Sequence, residues 1–266
     1  MSTIRDTQPS GDRRPLTARS VIASTLLGVD PPRLPALALV RSGELFGLRE
    51  GATRTALSRM TTAGEVAAED GHYALTGPLL ERHARQQSAL AATDRDWDGT
   101  WIGAVVTAER RSAAERSAFR DAARRLELAE VREGFWARPG EPPSSAGAEA
   151  RRVVDEQATW LRGIRPDDPV ALTAAFELDA WAAGARALID EMRRWQPALD
   201  DRRTDVLGET FVIAAAVLRH LVADPQLPTA LLPPHWPGPE LRDVFASFDD
   251  AFKATWRTWY RAFDPG

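Results

Sequence analysis

An Asp-Gly pair, Asp70-Gly71, lies between two short runs, Val66-Ala67-Ala68-Glu69 and His72-Tyr73-Ala74-Leu75, and constrains the chain more than any other local feature. A two-residue connection between paired strands needs positive φ at both central residues, and Asp-Gly supplies that with little strain. The segment is therefore expected to be a β-hairpin.

Three helical segments precede it. Thr17 is placed to cap the first, which carries Val21, Ile22, Leu26 and Leu27 on its apolar stripe and stops at Gly28. Asp30-Pro31-Pro32 breaks the chain, Pro35 suits a first helical position, and Leu37, Leu39 and Val40 continue to a stop at Gly43. A third helix is expected from Leu48 or Arg49 to Ala63, ended by Gly64. At about 100° per residue, Ala52, Ala56, Leu57 and Met60 share one face, and Gly51, Arg54, Thr55 and Ser58 the opposite one. Three helices and a hairpin outline a winged helix-turn-helix. Short donors beside an arginine are what phosphate and base-edge contacts require.

In isolation the third helix would read as a solvated surface helix. The charge distribution reverses that preference. Residues 1–63 hold nine arginines and five acids, a net +4, whereas the whole chain of 266 residues is −4, so the rest carries −8. A basic end on an acidic body fits a polyanion-binding module attached to something else. Arg54, Thr55, Ser58 and Arg59 are the expected DNA contacts. Arg49 and Gly51 stand at the helix start, where backbone N–H groups suit a phosphate, although Arg49 reads equally as an exposed side chain. His72, in the hairpin, reads equally as a backbone contact or a plain hairpin position. Arg13 and Arg14, in an arm over 1–16, are more simply read as making no contact.

Beyond a connecting helix from Leu79 to about Thr93, a second unit opens at Trp97. Ile102–Thr107 reads as a buried strand, Ser112–Arg125 as a helix, Leu128–Val131 and Phe135–Arg138 as strands, and 149–161 as a closing helix. That order suggests a small ferredoxin-like domain. After Pro166-Asp167-Asp168-Pro169 the chain reads as all-helical: one helix or two over Ala171–Trp195, another over Thr204–Ala223, a proline-dense connection, and a last helix from Leu241 to Phe263. The expected class is α+β, mostly helical. Its parts are an arm (1–16), a winged-helix domain with its connecting helix (17–93), a ferredoxin-like middle domain (94–165) and a helical C-terminal domain (166–266).

Several chemistries are excluded or disfavoured. There is no cysteine, and His72, His83, His220 and His235 lie too far apart for a zinc-binding helix. No G-x-S-x-G, Walker, G-x-G-x-x-G or H-E-x-x-H pattern is present, so neither catalysis nor a cofactor or metal is expected. Asp167/Asp168, Asp200/Asp201 and Asp249/Asp250 are better explained by caps and loops than by metal. His220 and Asp224, one helical turn apart, read as a surface pair. The most apolar run, Phe211–Leu218, falls far short of the ~20 residues that span a bilayer. Residues 1–15 lack the apolar stretch of a secretory signal, so the cytoplasm is the default.

The segment from Asp224 to Gly238, Asp-Pro-Gln-Leu-Pro-Thr-Ala-Leu-Leu-Pro-Pro-His-Trp-Pro-Gly, resembles the D-P-x-L-P-x-x-L-L-P-x-x-W-P-G signature of the PaaX family of transcriptional repressors. Glu50–Met60, with its R-T-A-x-S-R pattern at Arg54–Arg59, is similar to that family's reading helix. Tyr73-Ala74-Leu75-Thr76 and Trp97-Asp98-Gly99-Thr100-Trp101 resemble family features too. The resemblance spans about residues 17–263. It implies a homodimeric repressor that binds a double-stranded operator and leaves it when an aryl-acyl-CoA thioester such as phenylacetyl-CoA binds. Leu126–Gly134 departs from the family's glycine-rich G-F-G stretch, which bears on the ligand more than on the fold.

Such an effector asks for an apolar slot and for arginines facing its phosphates. Trp97, Trp101 and Trp136, with Arg116 and Arg120, are the candidates, although tryptophans are more often core than pocket. Trp236 reads as a clamp holding the proline-rich connection onto the helices. Two rival classes remain: a constitutive DNA-binding or dimeric interaction module with no effector, and a small-molecule enzyme.

Overall fold

Thr17 caps a helix reciprocally. Its Oγ1 accepts from the Ser20 N–H at 3.2 Å, and Ser20 Oγ accepts from the Thr17 N–H at 3.0 Å, which satisfies two otherwise unpaired donors and starts α1 (Ala18–Leu27). The computed structural model describes residues 16–91, 97–143 and 146–263. Arg13 and Arg14 of the expected arm, Thr93, Ser144 and Ser145 lie outside them. The chain is α+β and mostly helical, and it divides between Leu75 and Thr76 into two compact units.

In the first unit α1 packs against α2 (Ala36–Glu44) and α3 (Glu50–Thr62), burying Val21, Ile22, Leu26, Leu39, Leu57 and Met60. Gly43 is not the stop expected of it. It lies inside α2, buried, and a Cβ there would meet Thr53 Oγ1 at 2.6 Å, so its lack of a side chain lets α2 and α3 approach closely. The positive φ that turns the chain belongs to Gly47, at 71°. Asp70 (φ 47°) and Gly71 (φ 73°) both adopt the left-handed conformation, as the hairpin requires. A strand absent from the sequence expectations, β1 (Arg33–Pro35), completes a three-stranded sheet with β2 (Val66–Glu69) and β3 (His72–Leu75) in the order β1-β3-β2. Leu34 lies opposite Tyr73, and the Ala36 N–H donates to Gly71 O at 2.9 Å. Pro35 is tolerated because it ends an edge strand and stands at the N-cap of α2.

The second unit begins with α4 (Gly77–Leu90), which packs against α8 (Leu207–Val222) rather than closing the first unit. The middle segment runs β4 (Trp101–Val106), α5 (Ala113–Arg125), β5 (Ala129–Arg132), β6 (Phe135–Pro139), α6 (Ala148–Asp155) and β7 (Ala158–Ile164). Here the expectation of a helix over 149–161 is corrected. The helix stops at Asp155, and Ala158–Ile164 pairs antiparallel with β4 as an edge strand. The result is a β-α-β-β-α-β order with strands arranged β5-β6-β4-β7, all neighbours antiparallel. One face packs Ala104, Phe119, Ala123, Trp136 and Val154; the other packs Trp101 and Ala137 against Leu178, Leu227 and Leu231.

The helical remainder holds a short 3₁₀ turn (Ala171–Phe176), α7 (Leu178–Asp200), α8 and α9 (Gly238–Arg261). Their shared core includes Ala185, Ile189, Met192, Val217, Leu221, Phe245 and Phe248. His220 and Asp224 do not form a surface pair. The His220 ring stacks on Trp181 with centroids 4.6 Å apart, and the Asp224 carboxylate is buried against the Arg242 guanidinium at 2.7 Å. Trp236 also stacks on Trp181, at 4.7 Å, the clamp the proline-rich connection called for. No group of three or more potential metal ligands occurs among the described residues, and no described helix is long and apolar enough to cross a membrane.

Candidate nucleic-acid interface

The buried side of α3 is defined by Thr53, Leu57 and Met60. Ala52, expected among the inward residues, is exposed, and Thr53, which packs on Gly43 of α2, stands inward instead; Leu57 and Met60 are buried as expected, so the inward side is displaced by less than one residue's rotation. Opposite that side, Gly51, Thr55, Ser58 and Thr62 form an exposed ridge of small residues, flanked by Arg54 on one side and Arg59 on the other. A ridge without bulk lets the helix approach a surface closely while two long cations reach past it.

The hydroxyls of this ridge are partly engaged. Thr55 Oγ1 donates to Gly51 O at 2.8 Å and Thr62 Oγ1 to Ser58 O at 3.1 Å; each keeps lone pairs for an incoming donor. The Arg54 side chain is 58% exposed, and its Nε–H donates to Glu50 Oε1 at 2.7 Å. Arg49 stands exposed at the N-cap and makes no side-chain cap hydrogen bond there, at the helix end where unpaired backbone N–H groups and the positive end of the dipole suit an anion.

Beside the ridge, α1 and α3 enclose a groove of about 610 Å³ lined by Thr17, Arg19, Ala52, Thr55, Ala56 and Arg59, among others. Arg19 is not free there. Glu65 accepts from its Nε at 2.9 Å and from its Nη2 at 2.5 Å, a hydrogen-bonded pairing that raises the guanidinium above its ordinary pKa. His72 is half-buried in the hairpin, with Nδ1 3.0 Å from Asp70 O. The structure thus brings Arg49, Gly51, Arg54, Thr55, Ser58 and Arg59 onto one exposed surface of one helix, and leaves His72 on the neighbouring hairpin. Sequence reasoning did not single out Thr62, which the same helical period places on the ridge, or Glu50, which stands one turn before Arg54.

The expected effector residues do not converge. Trp97 and Trp101 meet edge to face with centroids 6.5 Å apart, and Phe176 joins them 6.4 Å from Trp101. Trp101 is 1% exposed, and its Nε1 has no hydrogen-bond partner. Trp136 pairs in register with Ala104, which projects from β4 to the face opposite Trp101, and it packs on Phe119 at 5.9 Å. Arg116 and Arg120 are exposed on α5, where Arg116 Nη1 donates to Arg111 O at 2.5 Å.

Residues 17–79 match the family model described as PaaX-like protein, and residues 176–262 match that described as PaaX-like protein C-terminal domain. A solved structure, the uncharacterized protein Rv0674 from Mycobacterium tuberculosis, is similar at 32% identity with a TM-score of 0.68. The alignment covers 91% of this chain and 98% of that one. No curated protein matches the chain.

Proposed function

The chain belongs to the PaaX-like family of transcriptional regulators, and on that premise we propose that it is a repressor that grips duplex DNA with α3. In this reading α1–α3 and the hairpin act as a winged helix-turn-helix. Arg54, Thr55, Ser58 and Arg59 face the major groove, Arg49 and Gly51 hold a phosphate, and His72 meets the backbone from the hairpin. A homodimer places two such helices in successive grooves, ~34–36 Å apart. An acyl-CoA thioester, phenylacetyl-CoA or a relative, favours a dimer geometry that no longer matches that spacing, and the operator is released in the cytoplasm. The reading is of a regulator rather than an enzyme. The observation that carries it is the exposed Gly51/Thr55/Ser58/Thr62 ridge between two arginines.

A second reading is favoured by one observation: of the expected effector residues, Trp97 and Trp101 pack on one face of the middle sheet and Trp136 on the other. It is a constitutive DNA-binding module. One experiment tests both. The protein is titrated into the duplex upstream of its own gene at rising salt, then challenged with aryl- and alkyl-CoA thioesters. Salt-sensitive binding released by a thioester supports the ligand-gated repressor. Binding that no thioester releases supports the constitutive module. Absence of duplex binding at low salt overturns both.

A further inference from the structure

An acid on the exposed face of a helix meant to approach phosphates works against binding, since it repels the same charges that the arginines attract. Glu50 is such an acid. It is the first residue of α3, its side chain is 54% exposed, and it lies one turn before Arg54. Its carboxylate accepts specifically from Arg54 Nε at 2.7 Å, and among the described residues no other hydrogen bond of Arg54 is present.

That choice of nitrogen matters. A guanidinium can read a guanine bidentately along either of two edges, one containing Nε and one made of the two terminal nitrogens. With Nε occupied by Glu50, the terminal edge is left free and its direction is set by an i, i+4 pairing on the helix surface. We infer that Glu50 is a specificity-determining positioning residue, which aims the Nη1/Nη2 edge of Arg54 at the O6 and N7 of a guanine. It trades some general attraction to DNA for discrimination at one base. A guanidinium not so held swings between phosphates and base edges, and phosphate contacts carry no sequence information.

The inference rests on the DNA-binding reading above, and the test separates the two. Wild type, E50Q, E50A and R54A are each used to select sites from randomised duplexes. Each is then measured by fluorescence anisotropy on the wild-type site, on that site with each base replaced, and on a scrambled duplex. Wild type is expected to select a guanine at one position per half-site, and R54A to lose that preference. E50A should lose about tenfold of the discrimination at the same position while binding scrambled duplex about two- to fivefold more tightly. E50Q, whose amide oxygen still accepts from Nε, should fall between wild type and E50A. Full retention of the guanine preference in E50A overturns the inference, as does a loss at a different position, which would make Glu50 itself the reader of a base. If wild type binds no duplex, the DNA-binding reading fails instead.

Discussion

Trp181 and His220 each hydrogen-bond the other's backbone. Trp181 Nε1 donates to His220 O at 3.0 Å, His220 Nε2 donates to Trp181 O at 2.9 Å, and the two rings stack between those bonds. The pair staples α7 to α8, and Gly184 makes room for it, since a Cβ there would lie 2.7 Å from His220 Cε1. His220→Ala should therefore cost about 2–4 kcal/mol, combining a cavity with the lost side-chain hydrogen bond to Trp181 O, while the backbone acceptor for Trp181 Nε1 is kept. Gly184→Ala should cost about 1–3 kcal/mol by overpacking. Urea denaturation at constant m-value measures both.

Arg242 ties three elements together. Its Nη2 meets the buried Asp224 carboxylate at 2.7 Å and its Nε donates to Ala89 O at 2.8 Å, joining α9, the end of α8 and the end of α4. Removing it strands a buried negative charge. Arg242→Ala is expected to destabilise the protein by about 3–5 kcal/mol, and Asp224→Asn/Arg242→Ala to recover part of that loss in a double-mutant cycle.

On α3, Arg54 and Arg49 should fail in different ways. Arg54→Ala is expected to cost about 1–3 kcal/mol on the specific site and to relax preference at one base. Arg49→Ala should weaken binding evenly across sequences and reduce the salt slope by about 1. Anisotropy titrations on specific and scrambled duplexes at several salt concentrations distinguish the two.

Burial pushes the Asp249 carboxyl up from the ordinary carboxylate range, with Lys253 pulling it back and Asp250 pushing it further. The folded chain thus holds a proton at this position more tightly than the unfolded one. The favourable contribution is complete at acid pH and is lost as pH rises through the raised value. Asp249→Asn keeps the site neutral throughout. It should be more stable than wild type near neutral pH, by about 1 kcal/mol or less, and the difference should close below the ordinary carboxylate range. Thermal unfolding across pH reads it.

Features that announce themselves through local backbone chemistry were legible in the chain. Asp70-Gly71 demanded a turn with two positive φ values, Thr17 and Ser112 demanded caps, and each is found as a turn or capping box. What was not legible depends on contacts far away in sequence. β7 reads as helix because Ala158-Thr159-Trp160 is ambiguous by itself, and only pairing with β4 makes it a strand. Gly43 resembles a stop until Thr53 is packed on it. His220 and Asp224 look like solvent-facing neighbours until Trp181 and Arg242 arrive from other helices. At the candidate site, the shared outward face of Arg54, Thr55 and Ser58 was readable from helical period, and Arg59 joined them through the R-T-A-x-S-R resemblance. The grip of Glu50 on one particular nitrogen was not, because period says which side chains share a face and nothing about which atoms meet.

β1 has three residues, yet it ties the turn of the hairpin to the start of α2, with Pro35 opposite His72 and the Ala36 N–H donating to Gly71 O. A turn bonded in this way to a helix start is braced against bending alone. In the proposed repressor, a signal that releases DNA would therefore act on α1–α3 and the hairpin together, with no separate finger to lift.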